Sequence, residues 1–191
     1  SAVGFCDERV ELFIATDLIE TESAREADEF IELAPISPGQ ALRMVETGEL
    51  LDSKAQIALA VDYLAGGDPR SSMEQLGPAI DNALQRGARI VAAQGLLDRG
   101  EARLALGQYG PARADLAEAQ AMFARMGMPE MTGETLYLTA RSHAEEGESA
   151  EALALTGEAI ARVEQVRNRL TTPALRAAYL GHSRAAYDLQ I

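Results

Sequence analysis

Apolar residues recur at helical spacing along the chain. Within residues 8–34, Val10, Phe13, Ile14 and Leu18 fall on one face, and Ala27, Phe30, Ile31 and Ala34 on another. Thr21 to Ser23 interrupts this stretch, and Pro35 and Pro38 end it. Ser37-Pro38-Gly39-Gln40 reads as a capping box with proline at the first helical position, predicting a short helix to about Thr47, stopped by Gly48. From about residue 50 the pattern predicts helices near 50–65, 71–86, 89–106, 110–126, 132–146, 149–169 and 173–190. Their starts carry markers: Ser71-Ser72-Met73-Glu74 as a second capping box, Pro111 in a first turn, and the pair Thr172-Pro173. Their stops are Gly66-Gly67, Gly87, Gly107, Gly127 and Gly147, glycine being the residue that ends a helix cheaply in the left-handed conformation. Connections this short force neighbouring helices antiparallel, so the chain is predicted to be a row of helical hairpins.

A second regularity lies above the first. Gly67, Gly107 and Gly147 stand 40 residues apart. Ala60, Gly100 and Ala140 share one phase, and Ala79, Ala119 and Ala159 another. Leu76 matches Leu116, a series that Thr156 breaks, and Gly87 matches Gly127 where the third copy has Arg167. A fixed period of this size marks a stacked all-α solenoid, with small residues where helices pack closely. Residues 1–49 do not follow the register and are expected to form an N-terminal helical cap or degenerate repeat. Residues 50–191 divide at about 50–87, 88–127 and 128–170, leaving a final unpaired helix over 172–191.

Composition narrows the partner. Aromatics make up 5% of the 191 residues, Trp is absent, and Ala and Leu dominate an apolar fraction of 47%, which suits close-packed helices better than a sandwich or barrel. A formal charge of −13 argues against nucleic acid, whose phosphates call for clustered Lys and Arg, and against anionic membrane surfaces. It leaves a solvated acidic surface or a basic or neutral partner. Cys6 is the single cysteine, so no intrachain disulfide can form, in keeping with a reducing compartment; the expected location is the cytoplasm. No apolar run approaches the ~18 residues of a membrane span. The acidic opening SAVGFCDERV does not read as a signal peptide, and a start at Ser1 reads as a piece of a longer protein.

Residues 95–129 resemble a tetratricopeptide repeat. That family's small residue, glycine, aromatic, alanine, large apolar residue and second alanine are matched by Gly100, Gly107, Tyr109, Ala112, Leu116 and Ala119. The following copy keeps Ala140, Gly147, Ala152 and Ala159, with Ser149 and Thr156 at the aromatic and large apolar positions. The preceding copy keeps Ala60, Gly67, Leu76 and Ala79, with Pro69 and Ser72 departing. The resemblance spans about residues 50–191 and implies a right-handed α-α superhelix in which the 40-residue period, against the usual 34, makes each hairpin longer than standard. Residues 166–189 are also similar to the segment joining such repeats to a caspase-like CHAT protease domain, through Arg167, Leu170, Pro173, Leu175, Arg176 and Tyr179. That similarity implies an effector domain beyond Ile191 in a larger bacterial protein.

Candidate chemistry is sparse, and no catalytic, cofactor-binding or metal residue is expected. His143, with Glu145 and Glu146 after it, lacks the three or four convergent ligands a metal needs and reads as a packed or solvated side chain. His182 and Ser183 diverge by about 100° on a helix and cannot pair locally. Asp7 and Glu8 raise rather than lower the pKa of Cys6. Gly66-Gly67-Asp68-Pro69 lacks the ending of a phosphate loop and reads as a turn. Met122, Met126, Met128 and Met131 read as core and hairpin packing rather than an adaptable binding face, and Glu145 to Glu148 as a solvated hairpin tip.

The tetratricopeptide pattern implies a concave groove lined by the first helix of each pair. Counting from Ala60, Gly100 and Ala140 places Ile57, Leu97 and Tyr137 on one row, Val61, Glu101 and Arg141 on a second, and Lys54, Gln94 and Glu134 on a third. The groove lacks the basic set with which some family members clamp a terminal carboxylate. The alternative is that longer helices bury several of these rows as core. The expected function is a non-catalytic interaction or regulatory segment that holds a protein, a peptide or its own effector domain. The alternative is a solenoid that senses a small molecule or peptide by changing its curvature.

Overall fold

The computed structural model describes residues 36–172, apart from 48 and 51, together with 189. The helices expected over 8–34 and 173–190, most of the protease-linker similarity, and Cys6 and His182 lie outside the described residues. The described part is helical and without strands: α1 (Pro38–Glu46), α2 (Ser53–Ala65), α3 (Pro69–Gln85), α4 (Arg89–Ala105), α5 (Tyr109–Arg125), α6 (Pro129–Glu145) and α7 (Ser149–Arg167).

One joint, used five times, connects α2 through α7. Each helix closes on a cap residue, then a glycine at φ between 70° and 80° (Gly67, Gly87, Gly107, Gly127, Gly147), then one residue that starts the next helix. At the first joint the Gly67 N–H donates to Leu64 O at 3.0 Å and the Asp68 N–H to Tyr63 O at 2.9 Å, the paired bonds of a Schellman motif. The same pair recurs at the other four joints, ending on Ala88, Gln108, Met128 and Glu148. The residue that completes one helix's C-terminal motif is thus the N-cap of the next, and the link cannot be longer than three residues.

That economy moves two starts. The second capping box is not at Ser71–Glu74: Asp68 caps α3, its Oδ1 accepting the Ser71 N–H at 3.1 Å and its Oδ2 the Ser71 hydroxyl at 2.6 Å, with Pro69 in the first turn. These bonds, the Ser71 hydroxyl foremost, hold the Asp68 carboxyl below its ordinary pKa. Likewise α6 starts at Pro129 rather than near residue 132. Ser37 caps α1 as expected, accepting the Gln40 N–H at 3.2 Å.

Each helix packs on the next in sequence, and the substantial second-neighbour contacts join α2 to α4 and α4 to α6. The core follows the alanine series: Ala60, Ala79, Ala112, Ala119, Ala140 and Ala159 are fully buried, with Leu76, Leu96, Leu116 and Phe123 filling the spaces between them. Met122 is buried, and Met126, Met128 and Met131 pack against the same cluster, so the methionines serve the core. Thr156, which breaks the leucine series, still occupies a buried position because its hydroxyl donates to Ala152 O at 2.8 Å. On α6, Thr135 and Ser142 are buried too, their hydroxyls donating to Thr132 O and Thr139 O at 2.9 and 2.7 Å. Polar side chains are tolerated inside the stack at α6 and α7 because the backbone of their own helix satisfies them.

Candidate functional site

Helices α2, α4 and α6 touch in series, and the residues that the repeat register singles out on them lie at two depths. Ile57 and Leu97 are 1% and 2% exposed and belong to the core rather than to an open groove. Their helices, 13 and 17 residues long, both pack on α3, and α4 also packs on α5, which closes the lowest level of the face. Tyr137 is half-buried against that core. Lys54, Val61, Gln94, Glu101 and Arg141 are half-buried as well, and Glu134 is exposed. What water and a partner can reach is therefore a polar strip laid over an apolar floor.

Asp98, which register counting did not single out, lies beneath this strip. It lies one turn after Gln94 on α4 and is 6% exposed. The Gln94 side-chain amide donates to Asp98 Oδ1 at 2.9 Å, while Oδ2 is buried and accepts no hydrogen bond. Burial pushes the Asp98 carboxyl up to about 7; the Gln94 bond opposes this, and the charges of Glu134 on α6 and Glu101 on α4 add to it. Glu134 is raised too, first by desolvation and then by Glu101. Although water reaches Glu134, the protein standing around it withholds much of the solvation a fully projecting carboxylate would have. Three carboxyl groups from two helices thus repel one another through poorly solvated space.

The cations nearby face the other way. Arg99 and Arg103, on the opposite side of α4, both reach Asp115 of α5, itself 5% exposed. Arg99 forks onto Asp115 with Nε and Nη2 at 2.8 and 2.7 Å, and Arg103 Nη1 adds a contact at 2.5 Å. The Asp115 bonds raise the Arg99 pKa further, so Arg99 is held in a structural ion pair. Arg113 likewise pairs with Glu146 across α5 and α6, and His143 with Glu148 across the joint between α6 and α7. His143 is thus a partly exposed side chain held by Glu148. Among the described residues no group of His, Cys, Asp and Glu is arranged to hold a metal ion, and no helix is long and apolar enough to cross a membrane.

No protein-family model matches the chain, and no solved structure matches it. An ADP-ribose pyrophosphatase of Bacillus subtilis (strain 168) is 41% identical over 63 residues, which is 32% of this chain and 33% of that protein. The chain thus spans about a third of the length of the curated relative it matches.

Proposed function

We propose that residues 50–170 form a tetratricopeptide-like solenoid with a 40-residue period, and that it is a non-catalytic module holding a peptide, or a neighbouring domain of its own chain, against the face of α2, α4 and α6. The observation that carries this reading is the row of second-neighbour contacts from α2 to α4 to α6 beneath a strip of half-open polar side chains. The helices that touch their second neighbours are the ones at the inside of a curved stack, which is where a repeat protein has a concave binding surface. Five identical joints support a constant rotation per hairpin. Tyr137 supplies an aromatic anchor at the edge of the apolar floor, and Glu101 and Arg141 set the charge register of an extended segment.

The test is photo-cross-linking from position 137 of this chain, alone and mixed with candidate peptides or domains. Cross-links that disappear with Arg141→Glu, while the circular-dichroism melt is unchanged, are expected. Retention of a partner that ignores both Tyr137→Ala and Arg141→Glu rejects the face as the binding surface.

The 63-residue likeness to an ADP-ribose pyrophosphatase favours a second reading, in which the chain carries part of a nucleotide-hydrolysing protein. Hydrolysis of ADP-ribose by the purified parent protein, followed by phosphorus NMR with and without magnesium, separates this reading from the first.

A further inference from the structure

We infer that Asp98 of α4, once the side chains over it part, receives the cationic side chain of a lysine or arginine carried by the bound segment, its N–H donating to Asp98 Oδ2 between Glu101 and Glu134. This rests on the reading of the face as a peptide-binding surface and names the chemistry that surface selects.

Three observations lead there. Asp98 Oδ2 is a buried acceptor with no donor, and an acceptor left in that state forfeits the hydrogen bond it had with water. The other oxygen is held by Gln94, so the carboxyl group cannot rotate to satisfy both. And the electrostatics around it are one-sided: Glu101 from the same helix and Glu134 from α6 both act on Asp98 with like charge.

The remaining charged groups on the packed elements do not relieve this. Arg99 and Arg103 are committed to Asp115 on the far side of α4. Lys54 of α2, which has an interaction of its own, shares the register of Gln94 and Glu134, and Arg141 lies two turns beyond Glu134 on α6; the charges that act on Asp98 are those of Glu134 and Glu101. The three carboxyl groups are not arranged to grip a metal ion. A cation on a flexible stem, with directional N–H donors, fits what is there: one donor for Oδ2 and others for the glutamates at the rim. Its aliphatic stem lies over the apolar floor beside Tyr137.

Such a ligand exchanges for a proton. With the Asp98 carboxyl at about 7, its ionised fraction rises from about a tenth at pH 6 to about nine tenths at pH 8. Affinity for the cation should rise roughly tenfold over the same interval, whereas a surface ion pair made by ordinary carboxylates would not change.

The experiment is a proton–nitrogen NMR titration of the whole chain with three small probes: the acetylated methylamides of lysine, arginine and norleucine. The lysine or arginine probe should move the Gln94 side-chain amide and the Asp98 and Glu134 backbone signals. It should bind at least tenfold more tightly than norleucine, more tightly at pH 8 than at pH 6. Asp98→Asn should abolish the effect and Glu134→Gln weaken it severalfold; because Glu134 is exposed, that variant keeps the answer independent of core packing. Equal binding of norleucine, or cation shifts that persist in Asp98→Asn, overturns the inference. A cross-linked peptide without basic residues, held at position 137 and indifferent to Asp98→Asn, overturns it while leaving the groove reading intact. Cation binding at Asp98 with no segment bridging Tyr137 and Arg141 keeps the pocket and removes the groove.

Discussion

A Cβ added to Gly100 would stand 2.8 Å from both Cγ and Cδ2 of Leu116, so α4 and α5 cross where one residue has given up its side chain to the other. The same phase is held by alanine at positions 60 and 140. Gly100→Ala gains about 1 kcal/mol of helix propensity but forces Leu116 or the helix to move, a strain of about 1–3 kcal/mol. A net loss of about 1 kcal/mol in urea unfolding is expected. Leu116→Ala alone should cost about 2–5 kcal/mol. The double variant should lose less than the sum, because the second change makes room for the first. Strict additivity would show that the two residues do not press on each other.

Asp115 ties the same two helices together by charge. Replacing it with Ala leaves Arg99 and Arg103 facing each other without their anion, and breaking such a pair costs about 3–5 kcal/mol when fully buried. Both guanidinium groups are about one-fifth open to water, which lowers the expected loss to about 2–4 kcal/mol. Arg99→Lys should cost about 1 kcal/mol, since a point charge cannot reproduce the fork. Thermal melts at low and high salt test this: the Asp115→Ala loss should persist at 1 M salt, where a surface pair would be screened.

Much of this architecture can be read from residue order, for reasons that also explain the errors. Glycine at 67, 87, 107, 127 and 147 announces helix ends because few other residues accept φ near +70°. Helix starts are harder. Ala88, Gln108, Met128 and Glu148 cap without a side-chain hydrogen bond, so the position is set by the preceding Schellman turn and not by a capping residue. The row of Ile57, Leu97 and Tyr137 is visible as a register, but register does not give depth: Ile57 is buried where its Cδ1 reaches the side of α4 at Gly95. Asp98 falls between the counted rows. Its importance comes from burial and from the charge of Glu134, 36 residues away in sequence, a relation that no local pattern encodes.

The joints predict a matched pair of glycines, one just before α7 and one inside it. Gly147 has φ of 79° and open space around its Cα, so Gly147→Ala suffers from backbone conformation alone, about 1 kcal/mol or more. Gly157 lies inside α7 with nothing within 4 Å of a Cβ, so Gly157→Ala should stabilise by about 0.5–1 kcal/mol. Denaturant midpoints should therefore move in opposite directions for the same chemical change. A shift of the same sign in both would mean that the α6–α7 joint relaxes to a different turn.

The Asp98 carboxyl also gives the stability a pH dependence of unusual sign. Its pKa is near 7 in the folded chain and near its ordinary value of 3.8 when unfolded. Between these values the folded state holds the proton and the unfolded state does not, so stability falls as pH rises through the window. From pH 5 to pH 8 this one group should remove about 2–3 kcal/mol, the full difference between the two pKa values corresponding to about 4 kcal/mol. Glu134, raised in the same direction, adds to the trend. Asp98→Asn keeps the shape and the bond to Gln94 but cannot ionise. It should flatten the slope between pH 5 and pH 8 and raise stability at pH 8 relative to the unsubstituted chain. Urea unfolding at half-unit pH steps reads both effects together. A slope that survives Asp98→Asn would assign the titration to another group, and a stability that rises with pH would mean that Asp98 Oδ2 finds a donor in solution.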